Sequence, residues 1–345
     1  MYKIQNISET TIDAYKNCFD INGSPKSEEK IRWQFLQTPI NKKFVDIAID
    51  EEKNKVAAIY AISPVQFRIN QQFLIGSQSL DTITDMDYRG KGLFINLAKS
   101  VYKKASEENV KLVYGFPNGN SIQGFSKKLD WQVLDPVPFL IKPLYSSYFT
   151  KKIKQLSWFP NIKIGFKSSI SKQVTIKEEF DFPDDVDNIW DVFSKDIKVT
   201  VERNKEYLTW RYLKKPKEDY KILHSYTSNG QYIGFIVYCV KGKHGGKIAY
   251  IMEFIYDPKF QTLAQNLLKK AVNNIIAEKA DCILSWCLEH STNYQAYKKT
   301  GFYNLPQKLR PIELHFGATT FDSTLENTIY KRENWFLSYS DSDTV

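Results

Sequence analysis

The run Tyr88-Arg89-Gly90-Lys91-Gly92-Leu93-Phe94 is the stretch of the chain best suited to holding an anion. It lies between an apolar, strand-like run and the start of a helix-like segment, and free N–H groups at a helix N-terminus, together with the helix dipole, favour a phosphate oxygen. Gly90 and Gly92 remove the side chains that would keep a ligand off those amides, while Arg89 and Lys91 add positive charge. The longer GxxxxGK[ST] spacing of a P-loop is absent, and a dinucleotide fingerprint would need a third glycine where Ile95 stands.

The elements that must position this loop occur twice. Trp33-Gln34-Phe35-Leu36-Gln37-Thr38-Pro39 and Trp210-Arg211-Tyr212-Leu213-Lys214-Lys215-Pro216 share tryptophan, aromatic, leucine and proline in the same spacing. Each copy is followed by two strand-like runs and a helix-like segment. Val56–Ile62 is answered by Tyr232–Tyr238, and Asp81-Thr82-Ile83-Thr84-Asp85 by Glu253-Phe254-Ile255-Tyr256-Asp257. Gly92–Ala105 and Gln261–Ala277 both place apolar residues at three- and four-residue intervals, the pattern of an amphipathic helix. Lys111–Phe116 and Cys282–Trp286 read as the next strands. The repeat predicts an ancient duplication.

Bulk properties agree with two compact units. The chain has 345 residues, 42% apolar and 14% aromatic, spread along its length without a disorder signature. The 48 Lys and Arg against 39 Asp and Glu give a net charge of +9, which favours polyanionic ligands without choosing among CoA, nucleotide sugars and nucleic acid. Cys18, Cys239, Cys282 and Cys287 form no paired framework and no metal-like CxxC, so buried structural thiols in a reducing compartment and no metal site are expected. No signal-peptide run or membrane-span run is present, which predicts a cytoplasmic protein. The expected division is 1–141, a basic solvated linker at 142–175 (Lys142, Lys151, Lys152, Lys154, Lys163, Lys167, Lys172), 176–330, and a tail at 331–345.

The loop resembles the acyl-CoA signature [QR]xxGx[GA] of the GNAT (Gcn5-related N-acetyltransferase) superfamily, with Arg89 and Gly92 matching and Phe94 standing where a small residue is usual. The resemblance is sharpest over residues 53 to 134 and reaches the second half through the repeat. It implies an α/β (α+β) fold of two tandem GNAT-like domains, each a central mixed, mostly antiparallel sheet flanked by helices. It further implies that the amides of Arg89, Gly90, Lys91, Gly92, Leu93 and Phe94 hold the CoA pyrophosphate. The pantetheine arm would lie between two splayed strands, and a backbone N–H near Ile83 or Thr84 would bind the thioester carbonyl.

Other roles follow from the same resemblance. Asn118, or alternatively Asn120, in Pro117-Asn118-Gly119-Asn120-Ser121 matches an asparagine that touches the CoA arm. The same residues would also serve as a turn and helix cap. Asp81 is the candidate base for an amine acceptor, and it would need partial burial or a water chain to accept a proton efficiently. The superfamily's usual tyrosine acid is replaced by Phe125, which leaves Ser126, solvent or the second half to protonate the thiolate.

The second half reads Asp257-Pro258-Lys259-Phe260-Gln261 where the first has its glycine loop, so it is expected to have lost CoA binding and to shape an acceptor cleft. Its candidates for substrate contact are Glu253, Tyr297 (in a YxxxGF-like ending with Gly301-Phe302) and His290, which takes the place of Asn118. The tail Trp335–Asp343 resembles the endings of tandem GNAT-like proteins linked to surface-polysaccharide synthesis. Asp341 and Asp343 beside its aromatics would suit an amino sugar; a solvated acidic tail is the simpler account. The leading expectation is therefore acetyl transfer from acetyl-CoA to the amine of a small acceptor such as an amino sugar, with no nucleic acid partner. O-acylation, an aminoacyl-tRNA-dependent transferase of the peptidoglycan-bridge type and a non-catalytic acyl-CoA binder stand as alternatives.

Overall fold

The computed structural model describes residues 2–150, 158–243 and 245–345. Its fifteen strands among those residues form two mixed sheets. The first contains β1 (Tyr2–Gln5), β2 (Phe44–Asp50), β3 (Lys55–Ile69), β4 (Gln72–Thr84), β5 (Val110–Gly115) and β6 (Gln132–Leu134). The second contains β7 (Phe139–Pro143), β8 (Val174–Glu178), β10 (Lys221–Thr227), β11 (Tyr232–Lys243), β12 (Gly246–Tyr256), β13 (Cys282–Trp286) and β14 (Tyr303–Asn304). Two later strands, β9 (Val199–Val201) and β15 (Phe316–Thr320), join the first sheet.

Read outward from the β1 and β8 ends, the orders are β1-β2-β3-β4-β5-β15-β6 and β8-β10-β11-β12-β13-β7-β14, which correspond strand for strand. β4–β5 and β12–β13 are the parallel pairs at equivalent places. The continuous apolar run in β3 is buried on both faces, as a central strand covered on each side requires. Helix α1 (Ile12–Ile21) and helix α2 (Glu28–Phe35), capped by the Ser27 hydroxyl, cover one side. Helix α3 (Leu93–Glu107) lays Leu93, Leu97, Ala98, Val101, Tyr102 and Ala105 onto the other, with helix α4 (Ile122–Lys128) beside it.

The division drawn at residue 141 does not follow sheet membership. β7 leaves the first half and lies between β13 and β14, while β15 returns from the second half to lie between β5 and β6. Each sheet thus fills the same slot with the other half's strand. An inserted strand satisfies the backbone groups of both neighbours whichever half supplies it, so local sequence carries no mark of the exchange. The repeated tryptophans meet at this junction: Trp33 and Trp210 stack at 4.6 Å, and each indole N–H donates to the other's carbonyl, at 2.9 and 3.2 Å. Such reciprocity is what a two-fold relation between halves produces.

Two other segments differ from expectation. In the presumed linker, Lys142 belongs to β7 and donates to the Thr300 carbonyl at 2.8 Å, and Ile164 and Gly165 donate to the Leu144 carbonyl; Lys151, Lys152 and Lys154 lie outside the described residues. The tail is no solvated appendage. Trp335, Phe336, Leu337 and Tyr339 are buried between the halves, Phe336 donates to the Val199 carbonyl, and Arg211 and Lys215 hold carbonyls of Ser340, Ser342 and Val345. Those aromatic and aliphatic side chains gain more from burial than the tail's few carboxylates lose.

All four cysteines are buried thiols, with burial pushing Cys239 up to about 11 and Cys18 up to about 12. A thiol-labelling reagent at neutral pH should therefore modify none of them in the native protein and all four in denaturant. Rapid labelling of any one under native conditions would contradict this packing.

Candidate acyl-CoA groove

The glycine loop has the geometry its sequence suggested. After β4, the Asp85 carboxylate accepts from the Asp87 amide and starts a short turn whose Tyr88 hydroxyl donates to Asp50 at 2.8 Å. Gly90 and Gly92 then adopt φ of +78° and +74°, a left-handed conformation that strains any residue with a Cβ. Gly92 is the N-cap of α3 and offers no side chain to the helix, so the first amides of this 15-residue helix are open to a ligand. Arg89 and Lys91 are exposed beside them, the Lys91 ammonium lying 4.8 Å from the Tyr88 ring centroid.

Behind the loop the sheet opens. Parallel pairing of β4 with β5 runs from Ile75–Val110 to Gln78–Tyr114 and stops, while β4 continues to Thr84 along β3 alone. The strands splay into a groove of about 760 Å³ lined by Ser79, Leu80, Ile83, Thr84, Arg89, Phe94, Asn118, Asn120, Phe125 and Asp343, among others. A β-bulge sets Leu80 and Asp81 opposite Ala61, between the Ser79–Ile62 and Thr82–Tyr60 pairs. The extra residue leaves the ladder, so an amide there is free to point into the groove. Ile83 and Thr84 stay in register with Ile59 and Ala58 and line the groove nearer the loop; since the next amide, that of Asp85, donates to the Ala57 carbonyl, the Thr84 amide faces away from β3, toward the side that β5 has left.

The structure places the remaining sequence candidates unevenly. Asn118 lines the groove, and its Oδ1 accepts from the amides of Asn120 and Ser121, so it caps the turn into α4 while its amide nitrogen stays available. Phe94 fits because Gly124 is bare: a Cβ at 124 would lie 2.6 Å from the Phe94 ring.

Asp81 is turned away from the role of free base. It is buried, its Oδ1 takes an ion pair from Lys26, and its Oδ2 accepts from the Tyr15 hydroxyl at 2.5 Å. Both oxygens are thus occupied by residues of the N-terminal helical region, which pin β4 at the bulge. Ser126 is also removed from the chemistry, since its hydroxyl donates to the Ile122 carbonyl of its own helix at 2.9 Å.

Four of the five proposed acceptor contacts have partners within the fold, with Glu253, Tyr297 and Asp341 buried and His290 exposed. Glu253 and Asp341 are fully buried on Arg203, Tyr297 is buried and accepts from Ser285 at 3.0 Å, and His290 Nε2 donates to the Trp335 carbonyl at 2.9 Å. Asp343 alone is exposed at the groove. It also lines a narrow neck of about 30 Å³ with Lys30, Gln34, Trp33 and Trp210, at the junction of the halves. Sequence reading missed Lys30 and Gln34, which one helical turn brings together beside Trp33 of the repeat. Burial, and then neighbouring Lys26, hold the Lys30 ammonium below its ordinary value. Among the described residues no cluster of His, Cys, Asp and Glu could hold a metal ion, and no helix is long and apolar enough to cross a membrane.

Two sheets of this order, flanked by helices, make a mixed α/β fold of two GNAT-like halves, the first of them split at a parallel pair beside a glycine loop. Residues 4–134 match the family described as acetyltransferase (GNAT) domain. Among solved structures, Saccharomyces cerevisiae N-myristoyltransferase with bound myristoyl-CoA is similar at TM-score 0.61 and 12% identity, over 92% of this chain and 82% of that one. A conserved Enterococcus faecalis protein of unknown function, described as a probable N-acyltransferase, is similar at TM-score 0.63 and 12% identity, over 95% of this chain and 74% of that one. No curated protein matches the chain in sequence.

Proposed function

We propose that the protein is an acyl-CoA-dependent N-acyltransferase that moves a short acyl group, acetyl in the first instance, to the amine of a small acceptor. One observation carries the reading: the left-handed Gly90–Gly92 turn delivers the open amides of α3 to one end of a groove whose other end is the β4 bulge. That arrangement offers an anion site for a pyrophosphate and a free amide for a thioester oxyanion, with splayed strands for the arm between. The closed end of the groove limits acyl size. A Cβ at Gly115 would already lie 3.1 Å from the Ser79 carbonyl oxygen, and the neck beyond holds about 30 Å³, room for one or two waters and not for a long chain.

Asp343, at the meeting of groove and neck, is the carboxylate placed to receive an acceptor ammonium, which keeps an amino sugar among the candidate acceptors. The amine must lose a proton to attack, and exposed Asp343 can pass it to water. Calorimetric titration of the full chain with acetyl-CoA should show one saturable site, weakened at high salt as a pyrophosphate contact requires. Tight binding of tRNA with no heat from acetyl-CoA would overturn the reading in favour of an aminoacyl-tRNA donor. CoA binding without thiol release against any amine would leave a non-catalytic binder.

A further inference from the structure

We propose that the Ser79 hydroxyl is an oriented hydrogen-bond donor to the sulfur of the donor thioester as that sulfur leaves, and that Tyr60, Tyr102 and Trp131 are positioning residues that fix its orientation. The inference rests on the acyl-CoA reading of the groove. Its starting point is the missing acid: across the groove, the place where the resemblance implies a tyrosine holds Phe125, packed on Trp131 at 4.5 Å between ring centroids.

Ser79 is the first residue of β4 beyond the last pair with β5, next to the bulge at Leu80–Asp81, and it lines the groove. Its Oγ is 3.0 Å from the Tyr60 hydroxyl, which is 2.7 Å from the Tyr102 hydroxyl, which accepts from the Trp131 indole at 2.9 Å. Tyr60, Tyr102 and Trp131 are buried. The direction of this chain follows from its far end. An indole N–H can only donate, so Tyr102 receives Trp131 and directs its own proton to Tyr60. Tyr60 then donates to Ser79, and the Ser79 proton is left for an acceptor in the groove. The opposite direction would strand the Tyr102 proton in a buried site without an acceptor, at a cost of about 1–3 kcal/mol.

The chain is a fixed donor array and not a proton wire. It ends on an indole that does not give up its proton, and burial raises both phenols, so each stays protonated. The chemistry balances without a proton from it. The acceptor nitrogen forms the new C–N bond and sheds its proton to water. The C–S electron pair passes to sulfur, and the thiolate leaves while hydrogen-bonded to Ser79, taking a proton from water afterwards.

The test is the ultraviolet absorbance of the thiolate of CoA bound to the full chain, followed against pH. In the wild type the bound thiol should titrate about one pKa unit below free CoA, a tenfold gain in ionisation. Ser79→Ala should abolish that shift. Tyr60→Phe, which keeps the ring and lets the serine rotate, should fall between. In turnover, Ser79→Ala should lower kcat by about 10- to 100-fold and leave KM for the donor unchanged. If CoA binds and its thiol titrates alike in wild type and Ser79→Ala, this inference falls and the acyltransferase reading stands. If CoA does not bind the wild type, both fall together.

Discussion

Replacing Arg203 by methionine is expected to destabilise the protein by about 3–5 kcal/mol, because it strands two buried carboxylates. The guanidinium is fully buried, with Nε 3.2 Å from Glu253 and Nη2 2.5 Å from Asp341, and its Nη1 also donates to Thr200 and the Val201 carbonyl. It therefore ties β12, β9 and the tail together where the two sheets meet. Burial pushes the Glu253 carboxyl up to about 7 even against the pull of Arg203. A folded value above the unfolded one, about 4.3, means that this group favours the fold fully below about pH 4 and loses that contribution as pH rises through 7. Without the guanidinium the loss becomes steeper. The melting temperature of Arg203→Met should therefore sit closest to wild type at acidic pH and fall further behind it toward about pH 8. Adding Glu253→Gln should recover part of the deficit at neutral pH, since an amide needs no counter-charge. A deficit of equal size at every pH would assign the loss to packing instead.

What the sequence made legible here was local. Glycine spacing, helix periodicity and the order of strands are written within about 15 residues, so the Arg89–Phe94 loop, α3 and the flanking strands lie where they were expected. The errors involve contacts between residues far apart in the chain. Asp81 read as a base because its strand position was visible, while Lys26 and Tyr15, which occupy its oxygens, lie 55 and 66 residues away. The exchange of β7 and β15 leaves no local trace, because an inserted strand looks the same whichever sheet receives it. Glu253, Tyr297 and Asp341 are polar residues whose partners arrive only with the fold, and polarity in sequence does not separate a buried ion pair from a substrate contact.

Two signals were present and can be stated physically. Trp335-Phe336-Leu337 is too apolar for a solvated tail, and burying it outweighs hydrating the nearby carboxylates. Tyr60 carries a hydroxyl on a strand that is otherwise core, and a buried hydroxyl needs a partner, which makes such a residue the natural place to look for a polar chain. Phe94 shows the same dependence on distant contacts, since its departure from a small residue becomes intelligible only beside bare Gly124.

Gly92→Asp should raise the Kd for acetyl-CoA by about 100-fold, and the reason can be separated from strain. Space is not the obstacle, because a Cβ at 92 meets nothing closer than Asn96 Nδ2 at 3.9 Å. The backbone at φ +74° costs any residue with a Cβ about 1–2 kcal/mol, so Gly92→Ala and Gly92→Asp should lose similar stability. Only the aspartate adds a negative charge where the open amides of α3 await a phosphate. Two unit charges about 4 Å apart repel by about 4 kcal/mol at an effective dielectric of 20. This loop is exposed, so solvent screening reduces that to roughly half or somewhat more, which is the stated 100-fold at about 1.4 kcal/mol per decade. Gly92→Ala should stay within about threefold of wild type in binding, since its methyl group meets open space. Calorimetry on the three proteins, with melting temperatures measured alongside, decides the matter. Equal loss of binding in both variants would show that the left-handed turn itself, and not the charge it presents, governs the site, whereas unchanged binding in Gly92→Asp would remove the pyrophosphate from this loop.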